Sequence, residues 1–366
     1  MSLLHQVALT FVNKIGPVLA RSMASHFGGA EEVFKKSKEA LTQARGVGMK
    51  RLELSDFNEA LRRAEQELKF IENNKVDVLY YTDPRFPRKL KICNDSPLLL
   101  YSKGNANLNN HRIISIVGTR NATDYGRSLC RQLIEELQDY NVLIVSGLAL
   151  GIDTAAHRES VALNIPTLGV LGHGYDRMYP SQNSSLAEKM LQNGGLLTEY
   201  PSGTKPGREN FPQRNRIVAG MADATVVVEA GLKGGALITA EIANTYNRDV
   251  FAFPGRLGDE YSEGCNFLIR NNKAALLTCV ADLAYSLGWE KNSDVTSAPE
   301  QLILPIDLSA EERAVYEIIQ QHKLPLAIDD LAIKANMPMS QLAMTLLDME
   351  LQGFIRSLPG KMYKVN

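Results

Sequence analysis

Ile113–Arg120 reads IISIVGTR and Val142–Asp153 reads VLIVSGLALGID. In each, a run that is apolar but for one serine closes on a glycine, and a charged residue follows within a few positions. A run without polar alternation that ends in a turn suits a strand covered on both faces. TLGVLG (Thr167–Gly172), GLLTEY (Gly195–Tyr200), ATVVVEA (Ala224–Ala230) and VFAFPG (Val250–Gly255) repeat the pattern. Helical stretches fit between the runs, for example Gly126–Tyr140 and Gly235–Asn247. Strands alternating with helices predict an α/β fold, a Rossmann-like parallel sheet wound on both sides, over about residues 71–289.

On the N-terminal side, residues 1–70 read as helical. IGPVLARSM (Ile15–Met23) and ARGVGMKRL (Ala44–Leu52) each place glycine in a tight turn before a helix. The pattern resembles a helix-hairpin-helix (SAM-like) unit, whose turn amides can hold a DNA phosphate. A plain helical hairpin with glycine at a C-cap reads the same way. On the C-terminal side, residues 290–307 read as a polar linker. Residues 308–366 follow as three helices, near Ser309–His322, Ile328–Ala335 and Met339–Gly353, and two strands around a Pro-Gly turn. That is a winged helix. Its third helix, MSQLAMTLLDMELQG, has neither Lys nor Arg, whereas a helix seated in a major groove needs phosphate and base contacts. The expectation is a protein-contact or packing module.

The chain has 366 residues, enough for two or three domains, with the 45% hydrophobic and 22% charged content of ordinary globular proteins. A net charge of -1 confines any nucleic-acid surface to a local patch. No apolar run is long enough to span a membrane. MSLLHQVALTFVNK lacks a basic n-region and a cleavage site, so it reads as a helix rather than a signal, and the expected location is cytoplasmic. The four cysteines form no CxxC pair, which gives zinc and redox chemistry no support.

The unusual residues follow strand C-termini: GTR, SGLALGID, GHGYD, TEYPSG, EAGLKGG and PGR. In open α/β sheets ligands bind at that end, near the topological switch point. Glycine-rich turns and helix N-termini make it an anion-binding surface. GxGxxG and GxxxxGK[ST] are both missing, so neither NAD nor ATP is expected, and no cofactor is. Arg120 after Gly118-Thr119 suits a phosphodiester that needs a bidentate cation; the alternative is a surface arginine paired with Asp124. FPQRNRIVAG (Phe211–Gly220) follows Lys205 and Arg208. With a helix starting near Gln213, Arg214 and Arg216 lie about 200° apart. Phe211 then precedes the helix, as a hydrophobic staple or as a platform for an unpaired base. Its cationic neighbours favour the platform.

For catalysis, Asp153 and His157 stand one helical turn apart, but Asp153 equally reads as a cap, which is preferred. Thr239 and Glu241 in GGALITAE are similar to a nucleotide N-glycosidase loop, though with different spacing.

Taken together, DPRFPRKL, DSPLLLYSKG, SIVGTR, SGLALGIDTAAH, VLGHGYDRMYPSQN, GLLTEYPSGTKP, NFPQRNRIVAG, VVVEA and GGALITAEIA resemble the bacterial DNA-processing protein A (DprA, or Smf) family over nearly the whole chain. The resemblance implies an extended Rossmann domain flanked by a helical and a winged-helix domain. It implies a non-catalytic, sequence-nonspecific binder of single-stranded DNA that protects incoming DNA in natural transformation and loads the recombinase RecA. It also implies a homodimer formed through the Rossmann domain. The expected contacts are Gly118, Thr119, Arg120, Ser146, Gly147, Lys205, Arg208, Phe211, Arg214, Asn215 and Arg216, with no catalytic or metal-binding residue. The firmest are Phe211, Arg208 and Arg120. Gly234-Gly235-Ala236 stands where many members have Ser-Gly-Ser, and Ser181-Gln182 where some have a lysine. The rival expectation is an N-glycosidase or hydrolase at the same sheet end.

Overall fold

Side chains alternate across the central strands, and both faces of the sheet are covered. In the computed structural model, which describes residues 2–291, 308–322, 325–358 and 362–365, Ile113 and Val117 join one core cluster with Leu143 and Val145. Ile114, Ile116 and Ile144 join another on the opposite face. The helices Asn210–Met221 and Gly235–Thr245 cover the first face through Ile217, Val218, Met221, Ala236, Ala240 and Ala243. The helix Asp124–Leu137 covers the second through Cys130, Leu133, Ile134 and Leu137, at the i, i+3, i+4, i+7 spacing of one helix face. This two-sided cover is why the strand runs carry no polar alternation.

The strands are β1 (Asp77–Tyr80), β2 (Leu99–Gly104), β3 (Ile113–Val117), β4 (Leu143–Ser146), β5 (Thr167–Val170), β6 (Gly194–Thr198), β7 (Ala224–Val227), β8 (Asp249–Ala252) and β9 (Ala275–Leu276). They form one sheet in the order β1-β2-β6-β5-β4-β3-β7-β8-β9. From β6 to β9 every pairing is parallel, and β1 and β2 add an antiparallel end. After β3 the chain winds one way through β4, β5 and β6, then returns to β7 and winds the other way. The switch point therefore lies between β3 and β7, at Gly118–Arg120 and the loop after Val227.

The helices Leu3–Phe11, Pro17–Phe27, Ala30–Phe34, Lys38–Leu41, Met49–Glu53 and Phe57–Asn74 pack on the antiparallel end of the sheet. Their core, which includes Val7, Met23, Leu52, Ala60 and Ala64, continues into Tyr80, Leu99 and Tyr101. Residues 1–296 thus form one compact unit, and the expected boundary near residue 70 falls within the helix Phe57–Asn74. Gly16 and Gly48 are N-caps of the helices they precede, not C-caps.

The second unit holds the helices Ala310–Gln321, Ile328–Ala335 and Met339–Leu351. Strands β10 (Leu326–Ala327), β11 (Ile355–Leu358) and β12 (Met362–Val365) complete it in the order β10-β12-β11. This is the expected winged-helix arrangement. Val315, Ile319, Leu331, Leu342, Leu346, Met349 and Ile355 form its core. The third helix also exposes Met344, Leu347 and Leu351. The linker from residue 292 on and the Pro359-Gly360 turn lie outside the described residues.

Candidate nucleic-acid interface

Three helix N-termini follow strand ends near the switch point; the first is capped by a side chain, and at the second, which has no side-chain cap, the Ile152 N–H donates to the Thr119 carbonyl at 3.1 Å. At the helix Asp124–Leu137, the buried Glu229 carboxylate accepts the Thr123 N–H at 3.0 Å and the Thr123 hydroxyl. Thr123 in turn caps the Gly126 N–H. At the helix Ile152–Ala162, the Asp153 carboxylate reaches back to the N–H groups of Gly147 (3.1 Å) and Ala149 (3.3 Å). The third helix, Gly235–Thr245, begins at Gly234 with no side-chain cap. No neighbouring atom lies within 4 Å of where a Gly234 side chain would start. Lys233 stands beside it.

The Glu229 seat depends on Gly126. A Cβ there would come 2.0 Å from Glu229 Oε2. We expect Gly126→Ala to destabilise the protein by about 1–3 kcal/mol, as overpacking does, measured by urea denaturation.

A groove of about 1060 Å³ runs along these strand ends. Gly118, Thr119, Arg120, Gly147, Arg208, Phe211, Arg214 and Asn215 line it, all from the expected set. Arg120 and Arg208 are exposed. The Arg120 guanidinium lies 5.5 Å from the centre of the Phe211 ring, and the Tyr179 ring lies 5.6 Å from it on a tilt of 34°. Cation–π and ring–ring contacts thus hold an aromatic face at the rim of the groove.

Phe211 does not precede its helix. The helix Asn210–Met221 begins three residues before the expected start, which puts Phe211 in the first turn and rules out the staple, a position before the N-cap. The ring packs instead over Gly172, where a Cβ would come 3.0 Å from Phe211 Cδ1.

The remaining expected residues divide between the groove and the interior. Arg214, 3% exposed, donates to the carbonyls of Gly147 and Val170 and so ties together the ends of β4 and β5. Burial brings its guanidinium down to about 10, with Asp153 opposing the shift, so it stays charged at neutral pH. Burial pushes the Asp153 carboxyl up, against the pull of Arg214 and the loop amides. Arg216 lies outside the groove lining and pairs with the half-buried Glu199, with Asp95 at 4.0 Å. Ser146 is fully buried, its hydroxyl donating to the Ile116 carbonyl at 2.6 Å. Lys205 is exposed and outside the lining. Asn215 donates to the Gly235 carbonyl at 3.3 Å, at the start of the uncapped helix.

Tyr179, Lys233 and Tyr261 also line the groove and were not foreseen. Tyr179 and Lys233 do sit in loops that follow strand ends, which is the signal that could have found them. Tyr261 comes from a distant loop, its hydroxyl accepting the Asn121 amide at 2.9 Å.

The residues weighed for catalysis are placed apart. His157 bonds Thr167 at 2.7 Å inside the core, and burial pulls its imidazole down to about 3. Its partner is not Asp153. Glu241 is exposed, pairs with Lys273 at 2.9 Å and does not line the groove, whereas Thr239 does. Among the described residues no group of His, Cys, Asp and Glu is placed to hold a metal, and no helix is long and apolar enough to cross a membrane.

A mostly parallel sheet with basic, aromatic and glycine-rich loops at its switch point defines a Rossmann-like protein. The family model for DNA recombination-mediator protein A matches residues 77–288, and the model for the DprA winged helix domain matches residues 298–361. The chain belongs to the DprA/Smf family. Protein Smf of Synechocystis sp. is 33% identical, covering 98% of each chain. The DNA processing protein DprA of Bacillus subtilis is 39% identical over 55% of this chain and 68% of its own. The X-ray structure of DprA from Streptococcus pneumoniae superposes with a TM-score of 0.68 at 29% identity, over 79% of this chain and 99% of that one. A structure of DprA from Helicobacter pylori, described in terms of its single-stranded DNA binding mode, gives a TM-score of 0.54 at 29% identity, over 59% and 98%.

Proposed function

We propose that this protein binds single-stranded DNA, without sequence preference, in the groove at the β3/β7 switch point. The observation that carries the reading is the Phe211 ring at the groove rim, 5.5 Å from the Arg120 guanidinium and 5.6 Å from the Tyr179 ring, with a helix N-terminus that no side chain caps in the same groove. Bases stack on the aromatic face, because every base has one. Phosphates meet Arg120, Arg208, Lys233 and the free amides at Gly235 and Ala236. A base in a duplex has both faces covered by its neighbours, so the aromatic station selects unpaired strands. Asn215 and the backbone of Gly118, Thr119 and Gly147 complete the walls.

Membership of the family and the H. pylori relative support this reading. We extend it to the wider role that the family resemblance implies: protection of incoming DNA during transformation and delivery to RecA, by a homodimer in the cytoplasm. The winged unit fits a protein-contact role, since its third helix exposes Met344, Leu347 and Leu351 and has no basic residue. The N-glycosidase alternative lacks its acid in the groove, because Glu241 lies outside it.

Fluorescence anisotropy with labelled oligo-dT, titrated with salt, tests the proposal. The affinity should fall on a log–log plot with a slope of about −0.7 per phosphate neutralised. Arg120→Ala and Arg208→Ala should each flatten that slope by roughly 0.7, while Phe211→Ala weakens binding and leaves the slope in place. Equal or tighter binding of a duplex of the same length sinks the idea.

A further inference from the structure

One residue of the sheet domain has all its polar groups held by one helix of the N-terminal unit. Glu67, on the helix Phe57–Asn74, is 1% exposed. Its carboxylate accepts the Ser202 N–H at 2.9 Å through one oxygen and the Ser202 hydroxyl through the other. Arg63, one turn earlier, donates to the Ser202 carbonyl and lies 3.4 Å from Glu67. A buried carboxylate is costly unless paired and hydrogen-bonded, and here both conditions are met across a sequence separation of 135 residues.

Ser202 opens the segment that carries Lys205 and Arg208. Next to it, Gly203, at φ +81°, donates to the Asp176 carboxylate at 2.8 Å. The far end of the segment is pinned by the Asn210 amide, which donates to the carbonyls of Lys205 and Gly172, both at 3.2 Å. Arg208 itself is exposed on the groove, and its side chain makes no hydrogen bond or ion pair among the described residues. Its position is therefore set by the anchors along its segment: Glu67 and Arg63 from the N-terminal helices at Ser202, Asp176 and the Gly174 N–H at Gly203 and Thr204, and Asn210 at the far end.

We propose that the N-terminal helical unit braces the basic segment, with Glu67 as a positioning residue that sets Arg208 against the DNA strand. The unit raises affinity without touching the strand. The inference rests on the groove being the path of single-stranded DNA.

A double-mutant cycle on the full chain, read by anisotropy with labelled oligo-dT, tests it. Glu67→Ala and Arg208→Ala should each weaken binding roughly 3- to 10-fold, and the double variant little more than either, as for residues in one network. Phe211→Ala should cost the same factor with and without Glu67. A general loosening of the fold would reduce both contributions and so would not give this split. Wild-type affinity for Glu67→Ala, or a loss that adds in full to that of Arg208→Ala, overturns the brace while leaving the groove reading intact. No effect of Arg208→Ala in the parent, with Phe211→Ala still harmful, removes Arg208 from the strand path and the brace with it. If Phe211→Ala is also silent, the groove reading itself fails. Ser202→Ala, which removes one hydroxyl bond, replaces Glu67→Ala in the cycle if that variant does not fold.

Discussion

Phe211→Ala weakens binding of labelled oligo-dT by roughly 10- to 100-fold, the range for one lost base–aromatic stack. Adding Arg120→Ala removes the cation over the ring as well as a phosphate contact, so the double variant loses more than either single. The effects of the two changes are not independent. Arg120 sits 5.5 Å from the ring it helps to orient, and neighbours at that distance couple. Thermal stability should change little, because the Phe211 ring is half-exposed at the rim and outside the buried core. Anisotropy at a fixed salt concentration, with thermal melts alongside, checks the prediction. Unchanged affinity in a folded double variant refutes the aromatic platform.

Arg214→Ala acts through the fold. Its guanidinium holds the ends of β4 and β5 through the carbonyls of Gly147 and Val170, and it is the cation that faces the buried Asp153. Removing it leaves those acceptors without their donor and the carboxylate without its counter-charge. Leaving two buried acceptors without their donor costs about 1–3 kcal/mol each. Lysine should not restore the loss, since both bonds leave from Arg214 Nη1, one bond farther along the side chain than a lysine Nζ reaches. Urea denaturation measures the cost. A loss under about 1 kcal/mol would refute this structural role for Arg214. DNA affinity per folded molecule should fall far less than in Phe211→Ala, a contrast that separates two residues only three positions apart.

How far the fold could be read from the chain depends on what each segment packs against. β3, β4, β5, β6, β7 and β8 were legible because strands buried on both faces must be apolar throughout. β1 and β2 were not singled out. Their antiparallel pairing is fixed by β6 and by the N-terminal helices, contacts that no local pattern carries. The start of the helix at Asn210 was misplaced because Pro212 suggests an extended residue before it. Proline is tolerated in a first turn, where its missing N–H would have no helical partner in any case.

The site divides in the same way. Arg120 and Phe211 were found because cations and an aromatic beside strand-end glycines are unusual in a nearly neutral chain. The inward turn of Arg214 was not legible, since its acceptors lie 44 and 67 residues away. The same is true of Ser146, whose hydroxyl answers to a carbonyl on the neighbouring strand.

The Glu229 carboxylate at the first helix of the sheet has a consequence for competition inside a cell. In dinucleotide-binding members of this architecture that helix end is where a cofactor's pyrophosphate settles. Here the position is filled by the protein's own anion, and a free nucleotide would have to displace a buried, doubly bonded carboxylate to enter. A nucleotide such as ATP or NADH would therefore meet the protein's own carboxylate at that helix end.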